Sequence, residues 1–418
     1  MSTVISRRAF LKYLGIAAVI SSTPSMLMGA TTPRVVIVGG GFAGSSCAKY
    51  LKMWGGSGVD VTLIVADANY VSPILSNLVL NGAKTTADLT FNYSAHRNTY
   101  GVNVVNGVVS AVDSGAKTVT LDDGSVVAYD KLVLAPGIDF MPVSGHDFEK
   151  VPHAWQAGAQ TNLLKAQIDT MQDGDTFVMT IPRSPYRCPP GPYERACVVA
   201  DYLKNMRSLI CNVIVLDANP NFTVEADTFG TAFTGYGIDY RTSATVTAVD
   251  SDAKSVTYTQ DGMTHTLNAT VLNVIPNQKA APIIFTAGVN SGNWAPVNVL
   301  NYESTIKPDI HIIGDSQGTG QPKAGHIGNA EAKICADAIL RELNGLAPYA
   351  APKTNSACYS PVSSTQASWL SAVYEYNPDT RAMQLVPGKN YPLSGAPSAR
   401  NYSEMFDWSG NLFNDTFA

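Results

Sequence analysis

The clearest indication of the fold is the run Arg34-Val35-Val36-Ile37-Val38-Gly39-Gly40-Gly41-Phe42-Ala43-Gly44. Its β-branched start favours a strand, and residues 45–54 after it are typical of a helix. At this spacing Gly39 permits a tight turn, Gly41 lets a phosphate approach the backbone, and Gly44 lets the helix pack on the strand. Free N–H groups at the start of such a helix attract a pyrophosphate. We therefore predict a dinucleotide-binding βαβ unit whose ligand contacts Gly39, Gly41, Phe42, Ala43 and Gly44.

The ribose end of this site departs from the usual pattern. The second strand of the unit is predicted at residues 59–65 and ends at Val65. An acidic residue at this position would ordinarily bond the ribose hydroxyls. Asp67 stands two residues later, and we name it as the candidate ribose ligand.

Two later stretches favour FAD over NAD at this first site. Leu134-Ala135-Pro136-Gly137 ends a predicted strand and resembles the Ala-Thr-Gly crossover of flavoproteins related to the disulfide reductases. Ile313-Gly314-Asp315 resembles the Gly-Asp that holds the ribityl chain of FAD in such proteins. We predict further cofactor contacts from Ala135, Pro136, Gly137, Gly314 and Asp315.

A second nucleotide-fold-like region lacks the turn that would bind a nicotinamide cofactor. The strand predicted at 176–181 is followed by Pro182-Arg183-Ser184-Pro185-Tyr186-Arg187-Cys188-Pro189-Pro190-Gly191-Pro192 instead of a glycine fingerprint. Proline has no N–H to offer a pyrophosphate, and the Arg and Tyr side chains fill the approach. We predict that this region does not bind NAD(P).

The order of these elements predicts an α/β fold with two Rossmann-like domains and a small C-terminal segment. The FAD-binding domain is predicted to be discontinuous, with parts at residues 33–147 and 276–346. The second nucleotide-fold-like domain occupies residues 148–275 between them. Residues 347–418, rich in Pro, Ser, Tyr and Asn, are expected to form an irregular cap or interaction segment.

Composition and the N-terminus limit the partners and the compartment. Hydrophobic residues make up 45% of the chain, and the net charge of -5 is dispersed, so we exclude nucleic acid as a partner. Residues 1–30 carry Arg7-Arg8, an apolar run and small residues at their end, which predicts a twin-arginine export signal and a periplasmic protein. No later apolar stretch reaches the length of about 18 residues that a membrane span requires.

One long motif resembles a known family. The run Arg187-Cys188-Pro189-Pro190-Gly191-Pro192-Tyr193-Glu194-Arg195, preceded by Pro152-His153-Ala154-Trp155 and followed by Cys358-Tyr359-Ser360, resembles the flavoprotein subunit of flavocytochrome c sulfide dehydrogenase. The resemblance extends from about residue 33 to the C-terminus, and sulfide:quinone oxidoreductases are broader relatives. It implies FAD-dependent oxidation of sulfide or a related reduced sulfur compound.

The resemblance also implies the roles of three residues. Cys188 and Cys358 match two family cysteines that form a redox-active disulfide beside the flavin, where sulfide attack would pass two electrons to the ring. Glu194 matches a family acid that could move protons there. A purely structural disulfide and a solvated glutamate at a helix start remain open alternatives. The other cysteines are expected to be inert buried residues: Cys47, Cys197, Cys211 and Cys335.

The chain departs from the family where many members attach FAD covalently through a cysteine. Pro73 occupies that position within residues 69–77, so we predict that FAD is bound non-covalently. Near the start of the helix after Asp315, we expect Lys323 and Gly325 to contact the flavin and stabilise its reduced, anionic form. For His326 a capping or surface role is equally open.

The predicted electron acceptor is a separate protein. The chain contains no Cys-x-x-Cys-His, so it attaches no c-type haem itself. The resemblance implies a c-type cytochrome subunit or a soluble cytochrome c as the partner. Two alternatives stay open: a sulfide:quinone oxidoreductase and a non-catalytic FAD-binding assembly partner. The lack of an amphipathic C-terminal membrane anchor argues against the first, because a quinone is reached from the membrane surface.

Overall fold

The computed structural model describes residues 32–386 and 396–418, so the predicted export signal at 1–30 lies outside the described residues. The strands in chain order are β1 (Arg34–Val38), β2 (Asp60–Val65), β3 (Asn69–Val71), β4 (Thr90–Asn92), β5 (Asn103–Asn106), β6 (Val109–Asp113), β7 (Thr118–Leu121), β8 (Val126–Ala128), β9 (Lys131–Leu134), β10 (Ile138–Phe140), β11 (Thr176–Ile181), β12 (Asn212–Asp217), β13 (Asp239–Arg241), β14 (Thr245–Asp250), β15 (Ser255–Gln260), β16 (Met263–Asn268), β17 (Val271–Asn273), β18 (Gln278–Ala280), β19 (Val297–Asn298), β20 (Glu303–Ser304), β21 (Ile310–Ile312), β22 (Lys353–Pro361), β23 (Ala367–Asn377) and β24 (Ala382–Leu385). The helices are α1 (Phe42–Gly55), α2 (Asn77–Leu80), α3 (Ser94–Asn98), α4 (Ala159–Asp169), α5 (Gly191–Asp201), α6 (Ala226–Tyr236), α7 (Pro282–Thr286), α8 (Gly325–Leu343) and α9 (Ala399–Phe417).

The largest sheet belongs to the predicted dinucleotide-binding domain. Its strand order is β19-β20-β21-β9-β1-β2-β5, and the strands from β21 to β5 are parallel. The seven strands of the sheet come from residues 34–134 and 297–312, so the sheet is assembled from two separated parts of the chain. This arrangement confirms the predicted α/β class and brings the ends of β1, β2, β9 and β21 to one edge, where open α/β sheets bind ligands.

The second parallel sheet, in the order β13-β12-β11-β17, lies between those two parts in the sequence. At the end of β12, where a ribose-binding acid would stand, Asp217 is completely buried. The hydroxyls of Tyr193 and Tyr240 donate to its Oδ2 at 2.8 and 2.7 Å. Burial raises the pKa of Asp217. Hydrogen bonds from within the protein thus occupy the Asp217 carboxyl, so it is not free to bind the ribose of a cofactor. This supports the prediction that no nicotinamide cofactor binds here.

The C-terminal segment is regular, so the expectation of an irregular cap is wrong. β22, β23 and β24 form an antiparallel sheet, and α9 follows, with the Ser398 side chain accepting a hydrogen bond from the Asn401 N–H as its N-cap. Proline and serine content misled the prediction, because burial against the rest of the protein, not local composition, stabilises these elements.

Helix α9 is amphipathic, and its apolar face is already used within the chain. Phe417 is buried and stacks on Phe91, with ring centroids 4.8 Å apart, and it also contacts Phe42 and Tyr70. The helix therefore packs beside the glycine turn between β1 and α1. Among residues 32–386 and 396–418, no helix has both the length and the apolar character needed to cross a membrane.

Candidate active site

The glycine turn between β1 and α1 contains approaches that only glycine permits. Gly39 has a φ of +105°, and a Cβ atom placed on it would lie 2.3 Å from the carbonyl oxygen of Ala135. A Cβ on Gly44 would lie 1.8 Å from the carbonyl oxygen of Gly39. No side chain caps the N-terminus of α1, where Phe42 and Ala43 are buried. The N–H groups of this helix end are therefore available for the phosphates of a dinucleotide.

A second uncapped helix end, that of α8, meets the first. A Cβ on Gly325, the first residue of α8, would lie 2.7 Å from the ring of Phe42, and one on Gly314 would lie 3.0 Å from the Cβ of Ala43. The N-cap residue, Ala324, offers no side-chain hydrogen bond. Two positive helix ends thus converge on one cleft, which suits a pyrophosphate and a flavin that becomes negative on reduction.

Lys323 is a buried cation at this cleft. Its Nζ donates to the backbone oxygens of Asp315 and Gln317 at 2.8 and 2.6 Å and lies 3.6 Å from the centroid of the Trp294 ring. Burial lowers the pKa of Lys323 to about 8. Burial also raises the pKa of Asp315, against the opposing charges of Arg187 and Lys323. The predicted ribityl ligand and the predicted flavin-facing lysine are therefore neighbours.

Glu331, in the second turn of α8, completes this group. It is fully buried, and its carboxylate accepts hydrogen bonds from the Gly314 N–H at 2.7 Å and the Gln317 side chain at 2.8 Å. Burial raises the pKa of Glu331 to about 8. Its hydrogen bonds hold the turn that carries Asp315, so Glu331 orients a predicted cofactor residue.

The remaining predicted cofactor residues lie on the rim of the same edge. Ala135, Pro136 and Gly137 follow β9, and the Gly137 oxygen accepts hydrogen bonds from the Ser316 hydroxyl and from a backbone N–H. Asp67 is exposed beyond the end of β2. The predicted contacts on the glycine turn, after β9 and at the start of α8 thus lie beside one another at one edge of the sheet, and the role of Asp67 stays a prediction.

A cavity of about 80 Å³ adjoins the cleft at Gly325. This volume has room for several water-sized molecules. Residues from distant parts of the chain line it, among them Cys188, Cys358, Glu194, Arg195, His326 and Trp155.

The cavity brings together the two cysteines that the sequence singled out. Cys188 follows β11 with a φ of +58°, and its N–H donates to the Lys323 oxygen at 2.7 Å. Cys358 lies on β22. All six cysteines carry free thiols in this structure. The backbone bond to Lys323 places Cys188 directly beside the predicted flavin contacts.

Both thiols of the cavity resist ionisation. Burial raises the pKa of Cys188 well above its ordinary value, and the neighbouring Cys358 and Glu194 add to the effect. Burial raises the pKa of Cys358 to about 12, with a further contribution from the charge of Glu225. A thiolate formed here is therefore poorly stabilised and tends to give up its electron pair or take a proton.

Glu194 stands in the first turn of α5 and is 8% exposed. Burial raises the pKa of Glu194 to about 8, and the charge of Glu225 contributes to this increase. A hydrogen bond from Asn77 and the charge of Arg195 act in the opposite direction and lower the pKa. A carboxyl with such a pKa can both accept and release a proton near neutral pH. This environment favours the proton-moving role over the solvated alternative.

Glu225, which the sequence did not reveal, lies near Cys358 at the N-cap position of α6. The hydroxyls of Ser360 and Ser368 donate to its carboxylate at 2.9 and 2.6 Å, and burial raises its pKa. His326 accepts a hydrogen bond from the Ala357 N–H at 3.0 Å, which fixes it against the strand that carries Cys358.

Several residues of the site lay outside the predicted set. Asn77 and Arg195 were present in the quoted motifs without an assigned role, and Glu331 was not singled out. A carboxylate between Ala330 and Ala332 on a helix was a usable signal, because acids seldom stand on an apolar face without a partner. Asn77 gave no such signal, since its partners are more than 100 residues away.

Three family models match the chain. Residues 161–276 match the central domain of the sulfide dehydrogenase [flavocytochrome c] flavoprotein chain. Residues 350–417 match the flavin-binding domain of flavocytochrome c sulphide dehydrogenase. Residues 33–170 match the pyridine nucleotide-disulphide oxidoreductase model. The residues of the cleft fit FAD, and FAD is the cofactor that these domains indicate.

Curated relatives are similar over parts of the chain. Ferroptosis suppressor protein 1 of Taeniopygia guttata is 35% identical over 106 residues, 25% of this chain and 27% of that protein. Rhodocoxin reductase of Rhodococcus erythropolis is 26% identical over 293 residues, 67% of this chain and 64% of that protein. The matched stretches thus span about a quarter and just under two thirds of these relatives.

A solved structure shares the whole fold. The sulfide:quinone oxidoreductase of Aquifex aeolicus superimposes with a TM-score of 0.76 and 17% identity, and the match covers 92% of each chain. The family models indicate a flavoprotein oxidoreductase, and the fold is that of such proteins.

Proposed function

We propose that this protein oxidises sulfide through Cys188 and Cys358 and passes the electrons by way of FAD to a c-type cytochrome. Two parts of the chain match the central and flavin-binding domains of the flavocytochrome c sulfide dehydrogenase flavoprotein chain, which supports this proposal. The observation that carries the proposal is the shared cavity. Two cysteines 170 positions apart in sequence line it together with a carboxyl whose pKa is about 8, next to the cofactor cleft.

The proposed reaction begins with the Cys188–Cys358 disulfide. A hydrosulfide anion attacks one cysteine sulfur, a new S–S bond makes that cysteine a persulfide, and the other cysteine leaves as a thiolate. FAD, when bound, supplies a two-electron acceptor. Because burial destabilises a thiolate at either position, the leaving thiolate bonds to the outer sulfur of the persulfide, which forms a Cys–S–S–S–Cys bridge; the two electrons released go to this acceptor and the persulfide proton goes to Glu194. Hydrosulfide thereby loses two electrons and one proton and reaches the level of zero-valent sulfur.

Glu194 takes the proton in this proposal. Its carboxyl lines the cavity with both cysteines, and a pKa of about 8 lets it accept a proton from incoming sulfide and release it afterwards. Lys323 and the start of α8 stabilise negative charge at the predicted flavin contacts.

A c-type cytochrome is proposed as acceptor because the matched family is a flavocytochrome. A quinone is less suited, since the apolar face of α9 packs on Phe42, Tyr70 and Phe91 and is not free to lie on a membrane. We propose periplasmic export by the twin-arginine route from residues 1–30. Replacing Arg7-Arg8 with two lysines should leave the precursor in the cytoplasm, detected by fractionation.

The experiment is anaerobic addition of one equivalent of sulfide, followed by the absorbance of the flavin at about 450 nm. The wild type should bleach rapidly, and Cys188→Ala and Cys358→Ala should not. Cys211→Ala is the matched control, because Cys211 donates to the Gln172 carbonyl oxygen away from the cavity. No bleaching of the FAD-loaded wild type would overturn the proposal and favour a non-catalytic FAD-binding partner.

The acceptor is tested separately with the reduced protein. Oxidised cytochrome c should reoxidise the flavin at least tenfold faster than a soluble quinone at equal concentration. Faster reoxidation by the quinone would assign the sulfide:quinone reaction instead.

A further inference from the structure

Asn77 connects two charged groups of the cavity, Glu194 and Arg195. Its side-chain N–H groups donate to the Glu194 Oε1 at 2.9 Å and to the Gly191 oxygen at 3.0 Å. Its side-chain oxygen accepts from the Arg195 Nε at 2.9 Å. An amide flip would turn its N–H groups toward the arginine donor, so these partners fix its orientation.

Arg195 is a buried cation with no carboxylate in direct contact. It is 1% exposed, and its other donors reach the oxygens of His153 and Ala154 and the Asn273 side chain. No ion pair within 4 Å involves it in the part of the chain that the structure describes. A buried charge needs compensation, and the nearest carboxyl on this network, Glu194, is reached only through Asn77.

We infer that Asn77 is a positioning residue that couples the Glu194 carboxyl to the Arg195 guanidinium and so sets the pH at which Glu194 accepts the proton of the sulfur substrate. The inference rests on the proposed function. Asn77 binds Oε1, which leaves Oε2 as the oxygen that exchanges a proton with the cavity. The ionised form of Glu194 accepts the proton, so the rate of flavin reduction should rise with pH as Glu194 ionises.

Other charged and titratable groups face Glu194 and contribute to its pKa. Cys188 precedes its own helix, Glu225 approaches from α6, and Cys358 approaches from β22. Arg187 and His326 also line the cavity. Asn77 is the group from α2, and it is the residue that hydrogen bonds the carboxyl directly. Its removal can therefore be distinguished from changes in the surrounding charges.

The test is the pH dependence of flavin reduction by sulfide in the FAD-loaded protein. Asn77→Leu removes the donor and Asn77→Asp replaces it with a carboxylate of the same shape that can still accept from Arg195. Both should move the rise in rate with pH upward by about one to two pH units, because the donor favours ionised Glu194. Glu194→Gln should abolish this rise and leave only the ionisation of sulfide itself.

Asn81→Leu is the matched control. Asn81 is buried at the end of the same short helix, and its side-chain oxygen accepts from the Ala83 N–H instead of contacting Glu194. The rate of flavin reduction in Asn81→Leu should depend on pH as it does in the wild type. Unchanged profiles for both Asn77→Leu and Asn77→Asp would overturn the inference.

A second measurement does not depend on activity. Infrared difference spectra over a pH titration should contain a protonated carboxyl band that Glu194→Gln removes, and its midpoint should rise in both Asn77 variants. A midpoint equal to that of the wild type contradicts the coupling. If sulfide fails to reduce the wild-type flavin while this midpoint shifts, the proposed function fails and the coupling stands.

Discussion

Replacement of Gly44 by alanine should release FAD through a collision with the backbone. The new Cβ would lie 1.8 Å from the Gly39 carbonyl oxygen, whereas ordinary contacts begin near 3.4 Å. Helix α1 would have to move off β1 by about 1.6 Å, the difference between these distances. Overpacking of this kind costs about 2–3 kcal/mol, which corresponds to roughly 30- to 150-fold weaker FAD binding if the turn bears the shift.

Gly41→Ala separates the packing of the turn from its contact with phosphate. A Cβ on Gly41 would meet the Tyr70 ring at an ordinary 3.4 Å, so the apoprotein should keep its stability. The methyl group would nevertheless stand where a pyrophosphate approaches the backbone. Only FAD affinity should therefore fall in this variant, whereas Gly44→Ala should lose both affinity and stability.

The assay combines FAD titration of the apoprotein, followed by flavin fluorescence, with urea unfolding of the apoprotein. Gly235→Ala is the control, because nothing lies within 4 Å of a Cβ at this exposed position of α6. It should leave FAD affinity unchanged and raise stability by up to about 1 kcal/mol. Wild-type FAD affinity in Gly44→Ala would refute the assignment of the cleft.

Acid precipitation should release all the FAD into the supernatant, because Pro73 cannot form the covalent link; flavin absorbance in the washed pellet would contradict this. In the reduced protein, Glu225→Gln should lower the pKa of Cys358 and speed its alkylation by iodoacetamide at a fixed pH, because a neighbouring negative charge is removed. Burial, aided by the Arg195 charge, lowers the pKa of His153 from 6.5 to about 3. The unfolded state therefore binds the proton at a higher pH than the folded state does. As the pH is lowered from 6.5 to 3, the free energy of unfolding should fall by up to about 1.4 kcal/mol per pH unit. His153→Gln should reduce this slope in urea titrations.

The sequence was informative where chemistry depends on the local backbone. The glycine turn, the Gly314-Asp315 turn and the cysteine-proline motif each carry their requirement within a few residues, and the structure places all three around one cleft. The role of Cys358 could be predicted only from the family resemblance. Cys188 and Cys358 are far apart in the sequence, and local spacing does not indicate that they meet.

The residues that were missed depend on tertiary contacts. Asn77 gains its role from Glu194 and Arg195 on another helix, and Glu225 gains its role from serines on β22 and β23. The composition of the C-terminal segment predicts irregular structure, although α9 carries an apolar stripe that ends at Phe417. Periodicity was the better guide there, since burial of such a stripe stabilises most helices in proteins.

The persulfide on Cys188 or Cys358 can be trapped chemically. The protein should be mixed anaerobically with one equivalent of sulfide, alkylated at once and digested, and the cysteine peptides weighed by mass spectrometry. We predict one added sulfur atom on the peptide of Cys188 or Cys358, and none on the peptides of Cys197 and Cys211. Reduction of the flavin without added sulfur on either cavity cysteine would contradict the account.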